Sequence, residues 1–444
     1  MKTFLKYILL YIAITAIFLS SLLIVSYIPQ KAIKANVSES ADIMVEEGEK
    51  RRFRSFGRSL FNDNSTDAIM LNLTYTIDEE NKLESIIKAR RNYVPGITEK
   101  IVEDIVGDLP HETEEYLMTD ELFDTVNGKK QVSYEYTRYW HGYIVILRIL
   151  LILFNITTIR WLIQITLMTL IIILAYYLKK NTNSKKIAIS LIMAFIATDF
   201  FVWNYVIQGM FVMIIALLIS IFIANKKIND KNLNMWLFIS GALTVYLDFL
   251  TTPLVSILLP IIVYTAVNNS EETNTKKVII RLIKNLIAWG SGYLGIWFAK
   301  WIIADILYDM DIVKLSFIQI YYRMGGIREF DCENIPLYGL LNNLINSLNY
   351  LVVSIYSFLF IYAMGRATLY KKKYFLSSEK IPYYVCFIIP LMWYYIISEH
   401  SYQHFFFTYK TMLIPLLSIM LIVFDDRNGR YIIKKEDEKE VKND

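Results

Sequence analysis

Apolar residues in this chain fall into runs separated by short basic clusters. Met1–Lys6 is basic and Phe4–Ile28 is apolar. The run is longer than a signal-peptide core and no Ala-x-Ala site follows it, which predicts an uncleaved first helix with its N-terminus in the cytoplasm. Further helices are predicted at about Ile156–Leu178, Ile187–Trp203, Tyr205–Ala224, Met235–Phe249, Leu254–Val267, Leu286–Asp305, Leu344–Gly365, Pro382–Ser398 and Thr408–Phe424. Met235–Phe249 and Leu254–Val267 are short for a span and read as tilted, kinked at Pro253 and Pro260, or extended by aromatic caps. The predicted fold class is an all-α polytopic membrane protein of about ten transmembrane helices.

One apolar stretch behaves differently. Thr137-Arg138-Tyr139-Trp140-His141-Gly142 leads into Tyr143–Phe154, which offers about 12 apolar-rich positions where a span needs about 20. Arg148 interrupts it. A short amphipathic segment with a basic, aromatic collar reads as a helix lying in the membrane interface. Before it, Pro29–Tyr139 is long and polar, with helical stretches such as Asp67–Tyr75 and Glu84–Asn92. It also carries the basic run Lys50-Arg51-Arg52-Phe53-Arg54 and the acidic stretch His111–Glu121, both of which read as solvated surface. The expected layout is a first transmembrane helix (1–28), an extracytoplasmic loop with interfacial helices (29–160), a multi-helix transmembrane domain (161–424) and a charged cytoplasmic tail (425–444).

Charge tests that layout. With ten crossings from a cytoplasmic start, Lys179-Lys180, Lys185-Lys186, Lys226-Lys227, Lys276-Lys277 and Lys371-Lys372-Lys373 all fall inside. The external turns around Asn204 and Thr251 hold no Lys or Arg. A crossing at Tyr143–Phe154 would reverse every later cluster, so the positive-inside rule supports the interfacial reading. Both termini are expected in the cytoplasm and the protein in the plasma membrane. Of the 444 residues, 55% are hydrophobic and 15% aromatic, too much apolar surface for a soluble domain. A net charge of +4 gives no footprint for nucleic acid. A disulfide between Cys332, in a polar loop, and Cys386, in an apolar run, is not expected.

In this topology the unusual acids collect at external helix ends: Asp199, Asp248, and Glu399 beside His400 and His404. Ionisable residues there are costly unless paired or wetted, so together they point to a shared external cavity with Tyr139, Trp140 and His141. His400 and His404 are four apart and could share a helical face, but no His-Glu-x-x-His pattern or third ligand accompanies them, so hydrogen-bonding roles are expected and no metal or other cofactor is assigned. No Walker motif, Gly-x-Gly-x-x-Gly or Gly-x-Ser-x-Gly occurs, so ATP-driven transport and serine-hydrolase chemistry have no sequence support within this chain.

Tyr139-Trp140-His141-Gly142, the following Phe154-Asn155-Ile156-Thr157-Thr158-Ile159-Arg160 and the external Asp199 resemble the glycosyltransferase-C superfamily, which includes protein O-mannosyltransferases and lipid A aminoarabinose transferases. The resemblance covers about the first half of the chain, and His141-Gly142 stands where the family commonly has His-Pro. Phe407-Thr408-Tyr409-Lys410 is also similar to the Phe-Thr-Tyr-Arg-type ending of a group of bacterial multi-pass proteins. What the resemblance implies is transfer of a sugar from a polyprenyl-phosphate donor to a cell-envelope glycan, lipid or protein on the outer face. A loop carboxylate would then be the general base, with Asp67, Asp63 and Asp42 as candidates, and Arg138, Arg148 or Arg160 would hold the donor phosphate. Capping of an apolar helix is the competing role for Asp63 and Asp67, and Glu39 with Asp42 has the setting of an ordinary solvated helix. The alternative functions are a transporter or flippase of an envelope lipid or sugar and a non-catalytic membrane scaffold. A transporter is expected to show internal repeats and Gly/Pro-broken helices at mid-membrane depth.

Overall fold

Each predicted apolar run carries a helix in the computed structural model, which describes residues 2–93, 117–129, 132–226, 228–248, 250–268, 274–326, 334–370 and 377–425. Residues 111–116 of the acidic stretch, Lys227, Phe249, Arg328, Cys332, Lys371–Lys373 and residues 426–444 lie outside the described part.

Among the described residues, four helices are long and apolar enough to cross a membrane: Tyr7–Ser26, Ile156–Thr182, Thr275–Tyr308 and Phe405–Phe424. A fifth is added if the bent pair Ile335–Ser347 and Tyr350–Gly365 counts as one. The first three turn large apolar residues outward, among them Ile17 and Ile24, Ile165 and Ile172, and Leu294 and Ile306. A soluble protein rarely exposes so much, whereas lipid accepts it. Met210–Lys226 and Val255–Val267 are shorter apolar helices within the buried core. Helices Asp230–Leu247 and Thr275–Tyr308 touch backbone to backbone. A Cβ on Gly292 would lie 2.0 Å from the Phe238 carbonyl oxygen, and one on Gly241 2.2 Å from that of Trp289. Small residues permit this approach between apolar helices, where packing replaces the hydrophobic drive.

Three expectations need correction. Leu344–Gly365 is not one helix: the chain bends by 92° after Ser347. Asn349 makes the break, since its Oδ1 accepts from Val352 N at 2.9 Å and caps the new helix while its Nδ2 donates to the Ala197 carbonyl at 2.7 Å. Glu84–Asn92 is only half helical. Lys82–Lys88 ends at left-handed Ala89 (φ 48°), and Arg90–Tyr93 then pairs antiparallel with Val132–Glu135. The helix predicted to reach Trp203 stops at Ala197, and Asp199, at φ 62°, starts a separate 3-10 turn, Phe200–Tyr205.

Among the described residues the fold is therefore nearly all-α with two small two-stranded antiparallel sheets, the first of them a hairpin. The first pairs Arg52–Ser55 with Arg58–Phe61 across Phe56 and Gly57, both at positive φ, as the two-residue turn that matches strand twist requires. Its tip seats in the bend at Asn349. The Tyr350 amide donates to the Phe56 carbonyl at 3.1 Å. Ser55 Oγ donates to Asp199 Oδ1, and Asn349 Nδ2 donates to Asp199 Oδ2 at 3.2 Å.

Tyr143–Leu150 is a helix of 8 residues, far too short to span. It buries Tyr143, Ile144, Leu147 and Arg148 and turns Ile149 outward, as an amphipathic segment should.

Candidate functional site

Helix Asn64–Tyr75 follows the first hairpin directly and positions the central acids. Asp63 is its N-cap: the carboxylate accepts from Thr66 N at 3.2 Å and Thr66 Oγ1 at 2.8 Å, and Gln208 Nε2 also donates to it. Asp67, one turn on, is fully buried. Its Oδ1 accepts from Ile207 N at 2.9 Å and its Oδ2 lies 3.5 Å from Arg160 Nη2. Capping thus belongs to Asp63, and Asp67 is free of that duty.

Arg160 comes from the first turns of Ile156–Thr182, whose start is fixed by Asn155 capping Thr158 N at 3.1 Å. The guanidinium binds Glu47 Oε2 at 2.9 Å and Asn64 Oδ1 at 2.6 Å more closely than it binds Asp67, and stacks over Tyr205. Lys410, buried on the 3-10 turn Tyr409–Met412, lies within electrostatic reach of Asp67 and Asp63. Its Nζ has no hydrogen-bond partner among the described residues. The same holds for Arg160 Nε and for both amide atoms of Gln164, one turn further along the Arg160 helix. Buried polar groups left unpaired are costly, and these three residues carry such groups.

Charge state follows from burial. Removal from water pushes the Asp67 carboxyl up to about 7; Asp63 adds to the rise, while Arg160 and the Ile207 N–H pull against it. Burial also raises Asp63, opposed by Thr66, Lys50 and Lys410. Asp67 can therefore take or release a proton near neutrality, as a general acid or base must.

A second cluster surrounds Arg323. Its Nη1 lies 3.4 Å from His400 Nδ1, 3.3 Å from His404 Nε2 and 3.3 Å from Gln403 Oε1. His400 Nε2 faces the Leu250 carbonyl at 2.8 Å. Burial holds both histidines far below the usual range, His404 at about 3, and Arg323 adds to the effect. They are neutral and turn lone pairs toward the guanidinium. Among the described residues no group of three His, Cys, Asp or Glu could hold a metal, and what joins the two histidines is Arg323. Lys50 links the clusters: it acts on both Asp63 and His404 and sits 5.4 Å over the Phe406 ring.

The collar residues form a third group. Tyr139 stacks on Trp297, and Trp140 Nε1 donates to the Ile296 carbonyl at 2.8 Å. His141, at φ 57°, bonds Tyr143 OH at 2.9 Å and the Tyr136 carbonyl at 2.7 Å, and burial lowers it to about 3. Arg138 lies 5.3 Å over the Tyr136 ring.

Of the remaining expected site residues, Asp199 ties the hairpin tip to the helix break, and Asp248 accepts from Thr251 N at 2.9 Å. Glu399 is buried and accepts from Gln403 Nε2 at 3.3 Å. Asp42 is exposed on Gln30–Glu47, in the position of a solvated acid. Arg148 is completely buried and spends Nε and Nη2 on the Ile28 carbonyl, at 3.2 and 2.6 Å, and Nη1 on the Thr74 carbonyl. Burial lowers it to about 10. It staples the first helix to the acid-bearing helix, and its donors are already used. Lys410 lies within a stretch picked out in the sequence without a role, and Arg323 lies in none. Lys410 had a local signal, a lysine leading into an apolar terminal run.

No protein-family model, curated protein or solved structure matches this chain.

Proposed function

We propose that this protein is a membrane-embedded transferase of the glycosyltransferase-C kind, moving a sugar from a polyprenyl-phosphate donor to a cell-envelope acceptor on the outer face. The observation that carries the reading is Asp67: fully buried, poised to titrate near neutrality, 3.5 Å from Arg160 Nη2 and within electrostatic reach of an unbonded Lys410. In the reaction Asp67 takes the proton of the acceptor hydroxyl. The acceptor oxygen bonds to the anomeric carbon, the bond from that carbon to the phosphate oxygen breaks, and the phosphate leaves with the electron pair. Cationic donors stabilise the leaving group. Arg138 and Lys410 suit that task better than Arg148, whose donors are bound, or Arg160, which positions Asp67.

The topology that fits is about ten crossings with both termini inside and Tyr143–Phe154 along the outer surface. The bend at Asn349 is the one feature that favours the transporter reading, because broken helices line many transport paths. One pair of measurements separates the two. A deletion strain should accumulate a lipid-linked sugar, and Asp67→Asn and Lys410→Met, both well folded, should fail to clear it. Clearance at the normal rate by both variants overturns the transferase reading. Accumulation confined to the inner leaflet assigns a flippase instead.

A further inference from the structure

We infer that the hairpin Arg52–Phe61 is a docking surface for anionic phospholipid headgroups of the surrounding bilayer, with Arg52 and Arg54 supplying the charge and the aromatic tip setting their depth. This contact stands whether or not the protein transfers a sugar.

Depth follows from the bend at Asn349. Tyr350–Tyr370 holds 21 residues. At about 1.5 Å each they cover about 31 Å, enough to cross a hydrocarbon core of about 30 Å without help. The helix turns Val353, Phe360 and Ile361 outward, as a lipid-facing helix does. Ile335–Ser347 meets it at 92°. A helix at a right angle to a crossing helix lies along the membrane surface. Its exposed Leu337, Tyr338 and Ile345 fall on one side at about 100° of turn per residue, which gives it an apolar face to lay there. The joint between the two helices is then at the level of the headgroups.

The hairpin tip is fixed to that joint. The Tyr350 amide donates to the Phe56 carbonyl at 3.1 Å, and the ring centres of Phe56 and Phe201 are 6.0 Å apart. All three aromatic residues are exposed, Tyr350 by 74%. Exposed aromatic rings gathered at one level are the belt that marks a membrane–water interface.

From the tip the strand runs back through Arg54 and Arg52. At about 3.3 Å per residue they stand about 7 and 13 Å from Phe56 along the strand, where the polar layer of a leaflet is about 5–8 Å deep. Alternate strand positions share a face, so both side chains leave the hairpin on the same side, opposite Phe61 and Ser59 in register. Both arginines are exposed. Among the described residues no carboxylate pairs with either, whereas Arg90, on the other sheet, pairs with Glu84 at 2.6 Å and Glu135 at 3.2 Å. Arg52 lies 5.3 Å over the Phe61 ring, a contact that orients its charge without cancelling it. Two uncancelled cations on one face at headgroup depth are complementary to anionic lipid, which attracts each of them.

The test reads which lipid gathers at the hairpin. Ser59 is exposed beside Arg54 in register. Full-length protein with Ser59→Cys, and with Cys332 and Cys386 replaced by Ala, is labelled with a fluorophore and placed in phosphatidylcholine nanodiscs. Phosphatidylglycerol or phosphatidylcholine, each spin-labelled at the top of the acyl chain, is included at equal mole fraction. Quenching by phosphatidylglycerol should exceed that by phosphatidylcholine, with about fivefold enrichment for each arginine. The excess should shrink as salt rises from about 0.05 to about 0.5 M. Arg52→Gln with Arg54→Gln should abolish it, while Arg52→Lys with Arg54→Lys should keep most of it, because a headgroup layer reads charge and not the guanidinium fork. Equal quenching by the two lipids in the parent protein overturns the inference. So does an undiminished excess in the Gln pair, eluting as a single folded species. Quenching by neither lipid also overturns it and leaves the arginines to a soluble anion.

Discussion

Asp67 Oδ2 and Arg160 Nη2 stand 3.5 Å apart, both out of water, and the arginine gives its shorter bonds to Glu47 and Asn64. The pairing is too weak to hold the acid ionised against the cost of burial, and that imbalance leaves its carboxyl at about 7.

Stability should respond to pH accordingly. The carboxyl binds its proton more tightly folded, at about 7, than unfolded, near 3.8. The stabilising protonation is complete at low pH, and stability falls as pH rises through that window. Asp67→Asn should flatten the fall and melt higher than wild type at alkaline pH, while losing transfer by about 10²- to 10⁴-fold. Melting curves across pH with matched turnover assays measure both. Identical pH slopes for variant and wild type would remove Asp67 as the titrating group.

Arg148 should behave as a structural residue. Arg148→Met leaves the Ile28 and Thr74 carbonyls without their donor, at about 1–3 kcal/mol for each buried group. The melting temperature should drop while pyrophosphate affinity stays within about twofold of wild type, too small a change for a lost charge-assisted contact. A large loss of affinity in the surviving folded fraction would return Arg148 to the ligand.

The hairpin tip offers a test of the joint at Asn349. A Cβ on Gly57 would lie 2.0 Å from Tyr350 Cε2, at a φ of 84° that L residues rarely adopt. Gly57→Ala should cost about 1–3 kcal/mol through strain and overpacking. Adding Tyr350→Ala removes the clash but not the backbone strain, so the double variant should recover part of the loss. A double variant no better than Gly57→Ala alone would mean the ring does not press on the turn.

Topology can be read chemically. With Cys332 and Cys386 replaced by Ala, Lys185→Cys should react with an impermeant maleimide only after the membrane is opened. Labelling in intact cells would place residues 179–186 outside and dismantle the outward-facing site.

Hydropathy carried the helices because lipid-facing and buried positions are both apolar, so the runs survive without knowledge of partners. It could not carry the break at Asn349, where Leu344–Gly365 stays apolar on either side and one amide side chain makes the bend. The hairpin at Arg52–Phe61 was hidden by its length, four residues per strand, and by arginines that read as a charge run. Asp63 and Asp67 were recognisable as a cap or a base, and only the hydrogen bond to Thr66 N divided the roles. Arg323 was not legible at all, since what surrounds it, His400, Gln403 and His404, lies far away in the chain.

The seating of the Phe56–Gly57 tip against Tyr350 also imposes an order in time. Synthesis runs from the N-terminus, so the hairpin and Asp199 are made long before Asn349 and Tyr350 exist to meet them. Until the late helix emerges, the Phe56 carbonyl lacks the Tyr350 amide and Asp199 lacks the Asn349 amide, and the acid-bearing helix that follows the hairpin hangs from an unfinished joint. Completion of the charged cluster is thus tied to arrival of the last third of the chain, and a nascent protein cut short before Asn349 would hold its acids without the frame that fixes them.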